Sequence, residues 1–250
     1  MGKDSGSEGI ACLLVHGLNG SPYDFNDLAV HLHERGIITE NILLPGHDIH
    51  HRDAALYGWR DWLKAVKDGF ERLTRTHKHV VIVGHSMGAS LALAVAAHDV
   101  RVAGIVSLCA PAELHAGLLP IVGVGRHIVH YLPVIREDIS DRMERRAYRR
   151  RKVTHWAPIA PMHTLLQALP LLRADLSQIS CPTLVVAARR DHVVPMRDGQ
   201  YVYEHISSFD KELLILDRSW HVVMRDVERI IVTDHITGFL DRLQPTITLL

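Results

Sequence analysis

Val80-Val81-Ile82-Val83-Gly84-His85-Ser86-Met87-Gly88-Ala89-Ser90-Leu91-Ala92-Leu93-Ala94 changes character at its middle. The first four residues are apolar and mostly β-branched, as in a strand buried on both faces. The last seven are small residues and leucines, suited to a helix packed closely on its neighbours. Between them stands Gly-x-Ser-x-Gly with Ser86 at its centre. The pattern is short and recurs by chance, so its weight comes from the strand before it and the helix after it. Such a strand–turn–helix lifts a hydroxyl out at the C-terminal edge of a sheet. Glycines at 84 and 88 keep side chains from colliding across the turn, and the helix N-terminus favours developing negative charge.

Working outward, short apolar runs alternate with longer amphipathic ones. Ile10–Val15, Val80–Val83, Val102–Leu108, Thr183–Ala188 and Glu212–Leu216 read as strands, with Ile37–Leu43 a weaker one. Pro22–Arg35, Trp59–Thr76, Met87–His98 and Val227–Leu243 read as helices. This alternation predicts an α/β fold with a mostly parallel, doubly wound sheet. It breaks between Ala112 and about Leu176, where no convincing strand is visible and the character is helical. The chain is therefore expected to fold as a core of residues 1–111 and 176–250, with residues 112–175 inserted as a helical cap.

A serine hydroxyl needs a base to become a nucleophile, and the base needs an acid to orient it. On a nucleophile elbow the chain order is serine, acid, histidine. Asp191 follows the strand Thr183–Ala188 and His221 follows the strand Glu212–Leu216, so both fall at strand C-terminal ends in that order. The chain has 19 histidines, so none is evidence by itself. His192, Asp198 and Asp217 are the competitors. An oxyanion calls for two backbone N–H donors: Met87, directly after the serine, and Leu18 in His16-Gly17-Leu18-Asn19-Gly20 after the first strand.

With these pieces in place, the chain resembles the α/β-hydrolase superfamily along nearly its whole length. More closely it resembles the small bacterial carboxylesterase and monoacylglycerol lipase family. The resemblance is carried by His16–Ser21, Leu44-Pro45-Gly46-His47, Gly84–Gly88, Cys109-Ala110-Pro111, Ala188–Asp191 and Ser219-Trp220-His221. It implies an α/β-hydrolase fold with an inserted helical cap, nucleophile Ser86, acid Asp191, base His221 and oxyanion donors Leu18 and Met87. It implies hydrolysis of short- to medium-chain acyl esters or monoacylglycerols through an acyl-enzyme on Ser86. The same triad also serves lactonases, thioesterases, perhydrolases and carbon–carbon bond hydrolases, and a non-catalytic binding protein is the third reading. Epoxide hydrolases and haloalkane dehalogenases need a carboxylate where Ser86 stands. The chain departs from the family where Leu18 replaces a common aromatic, Ala89 a common glycine, and Trp220 the usual glycine before the histidine.

Composition narrows the classes further. The chain has 250 residues, 47% of them hydrophobic, and 28 basic against 28 acidic side chains, which suits a globular protein and disfavours nucleic acid as a partner. Three cysteines are too few and too odd in number for a disulfide framework, which suits a cytoplasmic protein. Met1–Gly9 carries no secretory signal or myristoylation pattern. Arg142–Lys152 holds seven basic residues. With Asp138/Arg142 and Asp141/Arg145 at i,i+4 it reads as a solvated helix with internal ion pairs. The sharper reading is transient contact of the cap with a lipid surface. The apolar stretch Ala116–Gly125 suits either cap core or an acyl-chain pocket. His47-Asp48-Ile49-His50-His51 offers metal-ligand types without a fixed spacing, and no metal or cofactor is expected. The expected partner is a small-molecule ester.

Overall fold

The alternating strand and helix signals resolve into one parallel sheet. The structure, a computed structural model, describes residues 7–113 and 118–248. The start of the chain and Ala116-Gly117 of the apolar stretch lie outside the described residues. In chain order the elements are β1 (Ser7–Val15), α1 (Asn26–Glu34), β2 (Ile38–Ile42), the short α2 (His51–Ala54), α3 (Trp59–Thr74), β3 (His77–His85), α4 (Met87–Ala96) and β4 (Val102–Leu108). Next come α5 (Leu118–Gly125), β5 (Tyr131–Pro133), α6 (Arg142–Arg151), β6 (Trp156–Pro158) and α7 (Ile159–Asp175). The chain closes with β7 (Thr183–Ala188), α8 (Met196–His205), β8 (Lys211–Leu216) and α9 (Arg229–Thr248).

Six strands form the main sheet in the order β2-β1-β3-β4-β7-β8, and every neighbouring pair is parallel. The lack of polar alternation in the strands has a direct cause: both faces are covered. Ala11, Leu13, Val15, Val80, Ile82, Ile105 and Val185 feed one core with α3, α4 and α7. Their neighbours Ile10, Cys12, Leu14, Val81, Val83, Val106 and Val186 feed a second core with α1 and α9. In the central strands a period of two, buried on both sides, leaves little room for polar residues, whereas the edge strands β2 and β8 are less buried and keep Glu40, Asn41, Lys211 and Glu212. From β1 the sheet grows one way to β2 and the other way to β3. The loops after β1 and β3 therefore diverge and leave a crevice at the strands' C-terminal ends.

Between β4 and β7 the chain leaves the sheet. Two features there differ from the sequence reading. Tyr131–Pro133 and Trp156–Pro158 pair as a small antiparallel ribbon, where no strand was expected. Three-residue strands are too short to show a period. The i,i+4 ion pairs expected on α6 do not form. Asp141 instead caps the helix, accepting the N–H groups of Met143 and Glu144 at 2.8 and 3.1 Å. Arg145 donates to the carbonyl of Ile139, and Asp138 turns towards the loops after β7 and β8.

The segment is held to the core at both ends. Leu165, Leu166, Leu169 and Leu172 of α7 share the core with α3 and α4. At α6, the buried Arg225 bridges Glu144 and Asp27, and the Tyr148 hydroxyl donates to Asp24 at 2.7 Å. The middle is barer. Ile121 and Val124 of α5 are each 68% exposed, while Val122 packs inward on the core. Helix α8 and the short α2 are core helices that the sequence pattern did not single out. All three cysteines are free, with Cys12 and Cys109 buried.

Candidate active site

The turn after β3 is built by steric necessity. Ser86 sits at φ 54°, ψ −123°, a conformation that side chains rarely adopt, at the N-cap of α4. Its N–H donates to the carbonyl of Leu108 at 2.8 Å, which ties the turn to β4. A Cβ on Gly88 would overlap the carbonyl oxygen of Val15, and one on Gly84 would overlap the Gly88 backbone. Gly88→Ala is therefore expected to destabilise the protein by about 3 kcal/mol, since the obstacle is the Val15–His16 backbone and not a side chain that could turn away. Chemical denaturation of the variant reads this directly.

The loops after β7 and β8 bring Asp191 and His221 to Ser86. His221 Nε2 lies 2.9 Å from Ser86 Oγ, and His221 Nδ1 lies 2.7 Å from Asp191 Oδ2. The side chains of His221 and Asp191 are 9% and 1% exposed. Asp191 Oδ1 accepts the N–H groups of Val193 and Val194 at 2.7 and 2.8 Å. Burial raises the Asp191 carboxyl, but the charge and hydrogen bond of His221 and the two N–H groups outweigh it and hold it below its ordinary value. Burial likewise lowers His221, yet the charge and hydrogen bond of Asp191, with Asp138 adding to them, leave it above its ordinary 6.5.

The competing residues go elsewhere. Asp217 pairs with Arg189 at the surface. Asp198 accepts the N–H groups of Ala112 and Glu113, and so fixes the exit from β4. His192 binds Asp138. His47 is buried, edge-on to His16 and Trp62, while His50 and His51 lie ring against ring at 4.0 Å with His51 also edge-on to Tyr131, so His47 parts from the other two. Among the described residues, the cluster with metal-ligand types is Cys109, Asp191 and His221, which includes two of the residues just placed. Burial and the neighbouring Asp191 push the Cys109 thiol well up, so it stays protonated.

The two candidate oxyanion donors flank the serine. Met87 is the first residue of α4, whose N–H has no acceptor within the helix. Leu18 follows Gly17, which lies so close to the turn that a Cβ on it would come within 3.0 Å of Ser86 Cβ. His16 holds this loop. Its Nδ1–H donates to Gly17 O at 2.9 Å while Nε2 accepts the N–H of Leu44 at 3.1 Å.

Sequence reading missed the residues that hold the His221 loop. Glu228 Oε2 accepts the N–H groups of Arg218 and Ser219 and the Ser219 hydroxyl at 2.6–2.9 Å. Asp226 Oδ2 accepts the N–H groups of Trp220 and Ser140, so one carboxylate joins this loop to the segment before α6. His85 Nε2–H donates to the His221 carbonyl at 2.9 Å. Trp220 packs outward, under the guanidinium of Arg136 at 4.2 Å and edge-on to His192. No spacing rule marks Asp226 or Glu228, because capping of an irregular loop has no period.

Known proteins resemble this chain over most of its length. The chain is 29% identical over 231 residues to a thermostable monoacylglycerol lipase of Bacillus sp. (strain H-257), covering 92% of this chain and 90% of that one. It is 28% identical over 237 residues to a carboxylesterase of Bacillus subtilis (strain 168), covering 93% of each. Among solved structures, one described with the metagenome-derived lipolytic enzymes LipS and LipT superposes with a TM-score of 0.86 at 25% identity, over 95% of this chain and 96% of that one. A monoacylglycerol lipase of Paleococcus ferrophilus superposes at 0.78 with 16% identity, over 93% and 94% of the two chains, and shows the shared fold. The profile of the Hydrolase_4 family, described as serine aminopeptidase, S33, matches residues 7–228, and with that span matched the chain belongs to this family of α/β-hydrolases.

Proposed function

We propose that the chain is a serine hydrolase of carboxylic esters, with short- to medium-chain acyl esters or monoacylglycerols as its substrate class. The observation that carries this reading is the continuous hydrogen-bond chain from Ser86 Oγ through His221 to the buried Asp191. His221 takes the Ser86 proton as the oxygen attacks the ester carbonyl, and Asp191 stabilises the imidazolium that forms. The N–H groups of Leu18 and Met87 receive the oxyanion, and each such donor contributes about 3–4 kcal/mol to the transition state. His221 then protonates the leaving alcohol. Water, activated by the same base, cleaves the acyl-enzyme.

In this reading residues 112–175 act as the cap over the site, rooted by α7. A cleft runs from Leu18, His47 and Trp62 in the core to Tyr148, Lys152 and Trp156 in the cap, and it reaches the oxyanion loop. The exposed Ile121, Val124 and Ile128, with the arginines of α6, suit transient contact with an anionic lipid surface. No helix of the described residues is long and apolar enough to cross a membrane.

The test is a substrate panel. Purified protein is offered p-nitrophenyl esters of graded acyl length, a monoacylglycerol, a thioester, a lactone and an aminoacyl amide. Esters are expected to be cleaved fastest, with a clear optimum in acyl length. Preferential cleavage of the amide or the lactone would overturn the ester reading.

A further inference from the structure

One carboxylate outside the Ser86–His221–Asp191 chain touches both loops that carry it. Asp138 lies in the insertion, between β5 and α6, and its side chain is 14% exposed. Its Oδ2 accepts the N–H of His221 at 3.1 Å and the N–H of His192 at 3.1 Å. Its Oδ1 lies 2.8 Å from His192 Nδ1. Its own carbonyl accepts the N–H of Val222 at 3.1 Å. His192 adjoins Asp191 in sequence. Asp138 therefore brackets His221 from both sides and ties it to the loop that carries the acid.

Asp226 anchors the segment on which Asp138 sits, through the N–H groups of Ser140 and Asp141 and the Ser140 hydroxyl. Ile139 beside it is fully buried against Val222 and Tyr148. These bonds fix the carboxylate without the help of a substrate.

We propose that Asp138 is a positioning residue of the hydrolytic reaction: it fixes the spacing of the Asp191 and His221 loops and places a second negative charge beside the base. The inference rests on the esterase reading given above. Its physical basis is division of labour. Asp191 spends Oδ2 on the imidazole and Oδ1 on two backbone N–H groups, so it orients the ring. Asp138 grips the backbone of His221, which keeps the ring over Ser86 as it gains and loses its proton. The groups facing His221 are Asp191 from the loop after β7, Asp138 from the insertion, His85 from the end of β3 and Cys109 from the end of β4, with Asp24 beyond them. His85 is neutral and Cys109 protonated, because burial drives the first down to about 3 and the second up. Among the described residues, the charges that favour an imidazolium here are the carboxylates of Asp191, Asp138 and Asp24, and Asp138 is the one that arrives with the insertion.

The experiment compares Asp138→Asn and Asp138→Glu with wild type across pH 5–9. It reads both ester kcat/KM and the rate at which a fluorophosphonate labels Ser86. Asp138→Asn keeps the size and one acceptor oxygen but removes the charge. It is expected to lower kcat about tenfold with a smaller change in KM. It should also move the acidic limb of both profiles to lower pH by about half a unit. Asp138→Glu keeps the charge and displaces it, so its limb should stay near that of wild type while kcat falls.

A merely structural role would lower the amount of folded protein and leave the limb in place. An unshifted limb in Asp138→Asn overturns the proposal, as does an equal shift in Asp138→Glu. Should Asp138→Asn fold too poorly to assay, the Asp138→Glu limb decides alone, because a shift there refutes the role of charge. Wild type that is labelled but cleaves no ester refutes the substrate class and leaves the labelling comparison intact.

Discussion

Ser86→Ala is expected to lower ester turnover by about 10⁴-fold or more, the loss typical when a member of such a triad is removed. The substitution deletes one oxygen from a residue that is 8% exposed. That oxygen is the atom 2.9 Å from His221 Nε2. Serine and alanine both carry a Cβ, so the strain at φ 54° is the same in each, and the N–H bond to Leu108 is kept. The melting temperature should therefore stay close to that of wild type, which separates lost chemistry from lost fold. Initial rates on the preferred ester provide the check. A folded variant keeping more than about 1% of the wild-type rate would remove Ser86 from the chemistry.

Acid should unfold this protein early, and histidine is the reason. Burial pushes His16 and His85 down to about 3 and His47 down to about 4 from an ordinary 6.5. For His16 the geometry explains why: Nε2 already accepts the N–H of Leu44, so a proton there would break the bond that holds the oxyanion loop. The unfolded chain binds protons at these three sites below pH 6.5, whereas the folded chain does not. Their contribution is complete above pH 6.5 and is lost as the pH falls towards 3–4.

At about 1.4 kcal/mol per pH unit, the three together cost roughly 6 kcal/mol at pH 5. Two groups act in the opposite sense. Burial raises Asp24 to about 6, so the folded state takes up that proton more readily and recovers about 1 kcal/mol at pH 5, and the surrounding carboxylates raise His221, which acts in the same direction. A net loss of several kcal/mol between pH 7 and 5 is a large part of the stability of an ordinary domain. Urea unfolding at pH 7, 6 and 5 measures it. Equal midpoints at all three would mean that these histidines accept protons in the folded state.

The rate and the stability thus fall on the same side of neutrality for different reasons. His221 is raised and must be neutral to act as base, so the rate falls as pH drops through its elevated value. The buried histidines are lowered and must stay neutral for the loops to hold.

The residues legible in the sequence are those whose position follows from a local rule. Both-sided burial wrote itself into Val80–Val83 and Thr183–Ala188 as unbroken apolar runs, so the parallel sheet could be read from them. The elbow geometry demanded glycine at 84 and 88, where a Cβ would strike backbone, so Ser86 could be read too. Asp191 and His221 followed because loops at strand C-terminal ends converge at the crevice. Only the tertiary structure decided what the 112–175 segment does. The i,i+4 spacing of Asp138 and Asp141 suggested ion pairs along α6. Folding instead gave Asp141 the helix N-terminus, where unsatisfied N–H groups are the stronger attraction, and carried Asp138 to the backbone of His221. Asp226 and Glu228 were equally silent, since a carboxylate that caps an irregular loop satisfies N–H groups by proximity alone. Sequence specifies periodic and sterically forced positions, while contacts between distant loops exist only once the sheet has brought their ends together.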